Sequence, residues 1–276
     1  MTSTKPSSAP HPHHGPVKVT CLTELAEFEG VCSLFDRVWQ PGRGQIPINP
    51  ELLRAMSFAG NYIGGAYEDG ELIGASVGFF HPPAEAALHS HFTGVTRPGR
   101  QVGLALKLHQ RSWALERGVG RITWTFDPLV RRNAHFNVNR LGARVSGYLR
   151  DFYGQLEDAV NQGDESDRLH MDWDLRAEPG PPADAARERA AGAVVALSAV
   201  DGLPVEGSTD GERLLVAVPE SIEDLRRADP VAGRAWRRAL RTVLGGLLDE
   251  GARVTGFDRA GWYVVDRSFT GLGGRR

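Results

Sequence analysis

The order of strand-like and helix-like stretches constrains this chain most. Up to residue 175 the apolar residues recur with period two or period 3.6, and the elements read βααβββαβαββ. A strand is expected over 17–23 and a helix over 24–40, with Leu25, Phe28, Val31, Leu34, Phe35 and Val38 on one side. A Gly/Pro-rich loop over 41–47 precedes a short helix in which Asn49 suits the N-cap and Pro50 the first position. Strands over 61–68 and 71–80 flank Asp69-Gly70, a two-residue hairpin signal. A third strand covers 87–95. After it come a helix to about Arg117, a strand over 121–127, a helix over 129–142 ended by Gly142, and strands over 143–154 and 168–175. This order argues against a helical bundle or an all-β sandwich and predicts a mixed α/β (α+β) sheet.

The ends read differently. Residues 1–15 are rich in Pro, Ser and His and are expected to be a disordered leader, with His11, His13 and His14 solvated. Residues 177–192 read as a linker, and 193–276 as a small β-α-β extension. So small a unit has a marginal core and is expected to pack on the first, either as a lid on the acceptor site or as a homodimer contact. No residue in it stands out as chemical. The arginines of its helix, Arg237, Arg238 and Arg241, are expected on a solvated face.

Composition excludes some functions. A net charge of -2 over 276 residues lacks the basic excess of a nucleic-acid-binding protein. Cys21 and Cys32 cannot build a disulfide framework or a four-ligand zinc site, so no metal is expected, and both are read as small core residues. The start has no apolar signal region and no run approaches a membrane span, which points to the cytoplasm and away from membranes.

One stretch carries chemistry. From Gly94 to Leu108 the chain reads GVTRPGRQVGLALKL: a strand end, a basic Gly/Pro turn, and a helix that opens with small residues. The first amides of a helix have no internal partner, and its dipole favours an anion, so a phosphate or pyrophosphate is a natural occupant. Arg97 and Arg100 add charge there. The alternative is a tightly packed strand–helix turn.

Val95 followed by Arg100-x-x-Gly103-x-Ala105 resembles motif A of the GCN5-related N-acetyltransferases, and RRNAHFNVNRLGA (131–143) resembles their motif B. The resemblance covers roughly residues 17–175, and includes a predicted-acetyltransferase subgroup with a C-terminal extension. It implies an acyltransferase domain over 16–176, with a mostly antiparallel twisted sheet flanked by helices. It implies acetyl-coenzyme A, or another acyl-coenzyme A such as succinyl-coenzyme A, held by Val95, Arg100, Gln101, Val102, Gly103, Leu104 and Ala105, with Asn133 as a further contact. Where motif B carries a Tyr that serves as acid to the thiolate, this chain has Val138.

The implied activity is direct N-acyl transfer to a small amine or amino acid. The other reading is a sensor or assembly module that binds acyl-coenzyme A without turnover. An alkyl ammonium must lose a proton before it attacks, so a base is needed. His89 and His91 lie two apart on one strand and face one side, as base candidates or as structural histidines; the resemblance implies that the strands over 87–95 and 121–127 splay apart around the thioester, and His91 lies nearer that gap. Asp127 either binds or deprotonates the amine, or is an ordinary turn and helix N-cap before Pro128. Tyr153 either replaces the missing acid or is a half-buried aromatic.

Overall fold

The computed structural model describes residues 15–40, 48–97, 101–156, 158 and 161–268. The expected leader over 1–14, the loop over 41–47 and Arg100 lie outside the described residues. The first unit runs β1 (Lys18–Cys21), α1 (Leu25–Trp39), α2 (Pro50–Phe58), β2 (Tyr62–Glu68), β3 (Glu71–Phe80), β4 (Ala87–Val95), α3 (Val102–Glu116), β5 (Arg121–Phe126), α4 (Arg131–Ala134), β6 (Arg144–Leu149) and β7 (Arg168–Asp174). This is the expected order.

Local chemistry explains the ends. Asp69 and Gly70 both take positive φ, at 49° and 82°, and link strands that pair from Glu68↔Glu71 inward. That is the turn whose twist matches a right-handed hairpin. Asn49 Oδ1 accepts from Leu52 N at 2.8 Å, with Pro50 at the first helical position. In α1, Glu27 accepts from the Glu24 amide at 2.9 Å.

The sheet order is β1-β2-β3-β4-β5-β7-β6, and every pairing is antiparallel except β4 with β5. α1 and α2 cover one face, where Phe28, Val31, Leu34, Phe35 and Leu53 pack on Ile63, Ala75 and Val77. α3 covers the other face through Val102 and Leu106 on Ala66 and Ile73. A fully buried Leu or Phe contributes about 1.5–3 kcal/mol relative to exposure, so these seams hold the helices to the sheet.

Three local expectations are corrected. Leu25 is exposed, because it opens α1 before the helix meets the sheet. Cys21 is exposed at a strand end and Cys32 is half-buried, so neither is a full core residue. The helix expected over 129–142 keeps α geometry only at Arg131–Ala134, then widens into a π turn over His135–Arg140. Gly142, at φ 69°, ends it as expected.

The C-terminal unit is larger than a β-α-β. It comprises α5 (Ala185–Ala190), β8 (Val194–Val200), β9 (Leu203–Glu206), β10 (Arg213–Ala217), α6 (Ile222–Ala228), α7 (Pro230–Leu240), α8 (Gly246–Asp249), β11 (Arg253–Asp258) and β12 (Trp262–Asp266). Its sheet order is β11-β12-β10-β8-β9. The segment read as a linker contains α5, whose Ala185 packs on Leu215 and Val264. The two units share one core: Trp236, Leu240, Phe257 and Tyr263 join Trp124, Leu129 and Leu169.

Candidate active site

β4 and β5 form a fork. They pair only at Ala87↔Arg121, Leu88↔Ile122 and His89↔Thr123, while β4 runs on to Val95 and β5 to Phe126. β3 and β7 hold their outer edges along most of their length, so the gap opens in the middle of the sheet. A cavity of about 660 Å³ fills the fork and its mouth.

α3 closes the mouth. Its N-cap, Gln101, is held at φ 56°, a left-handed conformation uncommon for a side chain other than Gly. Helical bonding begins with Ala105 N donating to Gln101 O at 2.9 Å, and no side chain caps the end. The amides before Ala105 are therefore free of intrahelical bonds. Gln101, Val102, Gly103 and Leu104 line the cavity, as does Val95. A Cβ built on Gly103 would meet nothing within 4 Å, so a side chain there has room to enter this space. Ala105 is absent from the wall, and its amide is spent inside the helix. Asn133 does line the wall.

One helical turn beyond Gly103, Lys107 forms the floor. It is only 5% exposed. Nζ donates to Ser90 Oγ at 2.8 Å and sits 4.1 Å from the centre of the Trp124 ring. Ser90 and Trp124 are the first residues past the paired part of the fork. Burial pushes the Lys107 pKa down to about 7. No carboxylate meets it among the described residues, and a buried ammonium without one is costly. Sequence reasoning missed this residue. Its signal was a lone lysine among apolar positions of α3, in a chain whose other basic residues are nearly all arginine.

The histidines lie on the face opposite α3. His89 and His91 share that face, with ring centres 5.9 Å apart. His91 lines the cavity, and its Nδ1 is buried without a hydrogen-bond partner. Burial pushes its pKa down. His89 is one step back, with Nδ1 3.1 Å from Thr123 Oγ1. That hydroxyl is shared with His81 Nε2 at 2.9 Å, and His81 Nδ1 pairs with Glu85 at 3.0 Å. Burial first, then the neighbouring His91 and His81, push the His89 pKa down to about 4. Tyr153 is outside the wall. Its hydroxyl is 3.1 Å from Thr125 Oγ1, and Thr125 is a wall residue.

Asp127 is placed elsewhere, which corrects its reading as an amine-binding group. It is 8% exposed and outside the cavity wall. Oδ1 accepts from Leu129 N at 3.0 Å and Arg237 Nη1 at 2.9 Å; Oδ2 accepts from Arg237 Nη2 at 2.7 Å and Arg226 Nη2 at 2.8 Å. Asp164 Oδ2 accepts from the same two arginines. Burial opposes ionisation, but Arg237 and then Arg226 overcome it and hold the Asp127 carboxyl far below the usual range. The turn role is real, through the Leu129 amide. The larger role is to tie the two units together. Arg237, expected on a solvated face, is therefore 1% exposed.

The π turn after α4 re-aims side chains. His135, Phe136, Asn137 and Arg140 reach the cavity wall, while Val138, partly buried, packs against the core. Among the described residues, no three His, Cys, Asp or Glu side chains are grouped to hold a metal ion. No helix among them is long and apolar enough to cross a membrane.

No family model matches the chain, and no curated protein matches it in sequence. Among solved structures, an N-acetyltransferase from Staphylococcus aureus Mu50 is similar over 59% of this chain and 100% of its own, with 13% identity and a TM-score of 0.48. The Salmonella typhimurium protein yncA, solved with its cofactor acetyl-CoA, is similar over 61% of this chain and 99% of its own, with 12% identity and a TM-score of 0.47. The ribosomal-protein-S5-alanine acetyltransferase of Vibrio fischeri covers 59% of this chain and 96% of its own, with 13% identity and a TM-score of 0.47.

Proposed function

We propose that this protein is an acyl-coenzyme A-dependent N-acyltransferase of the GCN5-related type, acting by direct transfer to a small amine or amino acid. The observation that carries the reading is the fork between β4 and β5, with uncapped α3 amides at its mouth and a titratable face behind it. In this reading the amides of Val102–Leu104 hold the pyrophosphate. The pantetheine arm enters the fork, and the amine approaches from the His91 side. His91 Nδ1, free of partners, accepts the amine proton. Backbone amides of β4 beyond the paired segment, where they face the fork, stabilise the carbonyl oxygen as charge develops. Tyr153, through Thr125, is the proton source for the departing thiolate.

Acetyl is the smallest donor that fits this scheme. Lys107 supports a donor whose acyl chain ends in a carboxylate, such as succinyl, because that group would supply the counter-charge the lysine lacks. One observation favours the non-catalytic reading: Val138 takes the place of the motif B Tyr, and it is a partly buried residue packed against the core that can donate no proton.

The first experiment is calorimetric titration of acetyl- and succinyl-coenzyme A into the intact protein and Gly103→Glu. Micromolar binding, lost in the variant, supports the donor site. No binding by the intact protein rejects the acyltransferase reading. Binding without thiol release across a panel of amines favours the sensor.

A further inference from the structure

The rim of the cavity carries positive charge that the scheme above leaves unused. Arg140, at the end of the π turn, and Arg259, in the β11–β12 turn, both line the cavity. Neither has a carboxylate partner among the described residues. Two other arginines of the wall are already neutralised: Arg97 by Glu68 and Glu71, and Arg132 by Glu223.

Arg259 comes from the C-terminal unit, on backbone gripped by the first. Gly261 N donates to Asp258 O at 2.9 Å and closes the turn. The Arg131 guanidinium donates to Arg259 O, Nε at 3.0 Å. Asn139 Nδ2 donates to Phe257 O at 2.7 Å and meets His135 Nδ1 at 2.9 Å. Tyr263 Oη donates to Pro128 O at 2.8 Å. So the main chain of the turn is fixed while the Arg259 side chain lies against the cavity. Both arginines share this wall with His135, whose pKa is pushed down by burial and then by Arg259 and Arg140. Two like charges facing one space without a counter-ion leave room for an anion.

We infer that Arg259, together with Arg140, forms a second anion subsite of the donor cavity, supplied in part by the C-terminal unit, and that it takes the 3′-phosphate of coenzyme A. The inference rests on the acyltransferase reading. The α3 amides account for one anionic centre, the pyrophosphate. Coenzyme A carries one more, a phosphomonoester on the ribose. A guanidinium fork matches phosphate oxygens in a way a lone ammonium does not. This gives the C-terminal unit a role on the donor side, beyond the lid or dimer contact expected of it.

The test is titration of coenzyme A and dephospho-coenzyme A, which lacks only the 3′-phosphate, into the intact protein, Arg259→Gln and Arg140→Gln. Both side chains are exposed, so the variants should fold, and thermal unfolding checks this. The intact protein should prefer coenzyme A by about tenfold or more, the scale of a charge-assisted contact. Each variant should lose most of that preference while binding dephospho-coenzyme A as the intact protein does. Equal affinity of the intact protein for both ligands overturns the inference and leaves the acyltransferase reading standing. So does an Arg259→Gln variant that keeps the full preference. If the intact protein binds neither ligand, the acyltransferase reading fails and the subsite with it.

Discussion

Lys107 Nζ lies 2.8 Å from Ser90 Oγ at the point where β4 and β5 part. The fold therefore places a buried amine at the closed end of the fork, held by one hydroxyl and one aromatic face. Such a group opposes folding unless something at the site offsets its desolvation.

Lys107→Met keeps the length and removes the charge. The lysine pKa is lowered from 10.5 to about 7 in the fold, so the unfolded chain binds more protons between those limits. Stability of the intact protein should rise with pH across that window, by at most about 1.4 kcal/mol per pH unit. The methionine variant should lack this rise and be the more stable of the two near pH 7. Denaturant unfolding at pH 7 and 9.5 measures both slopes. In the same variant, succinyl-coenzyme A binding should fall about tenfold or more while acetyl-coenzyme A binding changes little. Equal losses would reject the carboxylate role.

His91 and His89 should separate in kinetics. His91→Gln removes the cavity histidine and should lower kcat by about 10²–10⁴-fold. His89→Gln should act mainly on stability. A base works when neutral, and burial holds the His91 pKa below 6.5, so the acid limb of kcat/KM should lie below pH 6.5 and vanish in His91→Gln. Both histidines have lowered folded pKa values, so the stability they allow is present above 6.5 and is lost as pH falls from there through the folded values, about 4 for His89. An unchanged acid limb in His91→Gln would remove it as the base.

Asp127→Asn should damage the joint between the units and spare the chemistry. It leaves Arg226 and Arg237 buried with only Asp164, and breaking such a cluster costs about 3–5 kcal/mol. The Tm should fall by several degrees while kcat per folded molecule stays within about twofold. The folded pKa of Asp127 is depressed, so its contribution is present above about pH 4 and is lost only in acid. A large fall in kcat without a fall in Tm would return Asp127 to the catalytic list.

The same cluster marks what could be read from the sequence. Strand and helix order follows from period and turn chemistry, which are local, and Asp69-Gly70 and Asn49-Pro50 behave as their residue types require. The buried state of Arg237 depends on Asp127, 110 positions away, so α7 looks like a solvated helix until its partner is known. The π turn at His135–Arg140 was hidden for another reason: its residues suit an α-helix, and its Asn139 bonds Phe257 O on β11, a partner 118 positions away. Gly103 was legible because an open helix end admits a ligand most closely at a small residue, whereas Gln101 was named only through the resemblance to motif A. Lys107 was visible only as an oddity of composition.

Gly261→Ala tests whether the C-terminal unit aims Arg259 or merely carries it. Gly261 sits at φ 98°, and a Cβ there would press on Arg131 Cδ and Nε and on Val218 O, all at 3.3 Å. The left-handed backbone alone should cost about 1 kcal/mol. Crowding of Arg131 should also loosen its grip on Arg259 O. The expected result is a modest fall in Tm together with a severalfold fall in preference for coenzyme A over dephospho-coenzyme A, with no change in affinity for the dephospho form. The contact geometry predicts that Arg131→Met, which releases the same carbonyl without backbone strain, lowers the preference similarly. If both variants keep the full preference, the turn does not position the arginine, and the side chain finds its phosphate without help from the joint.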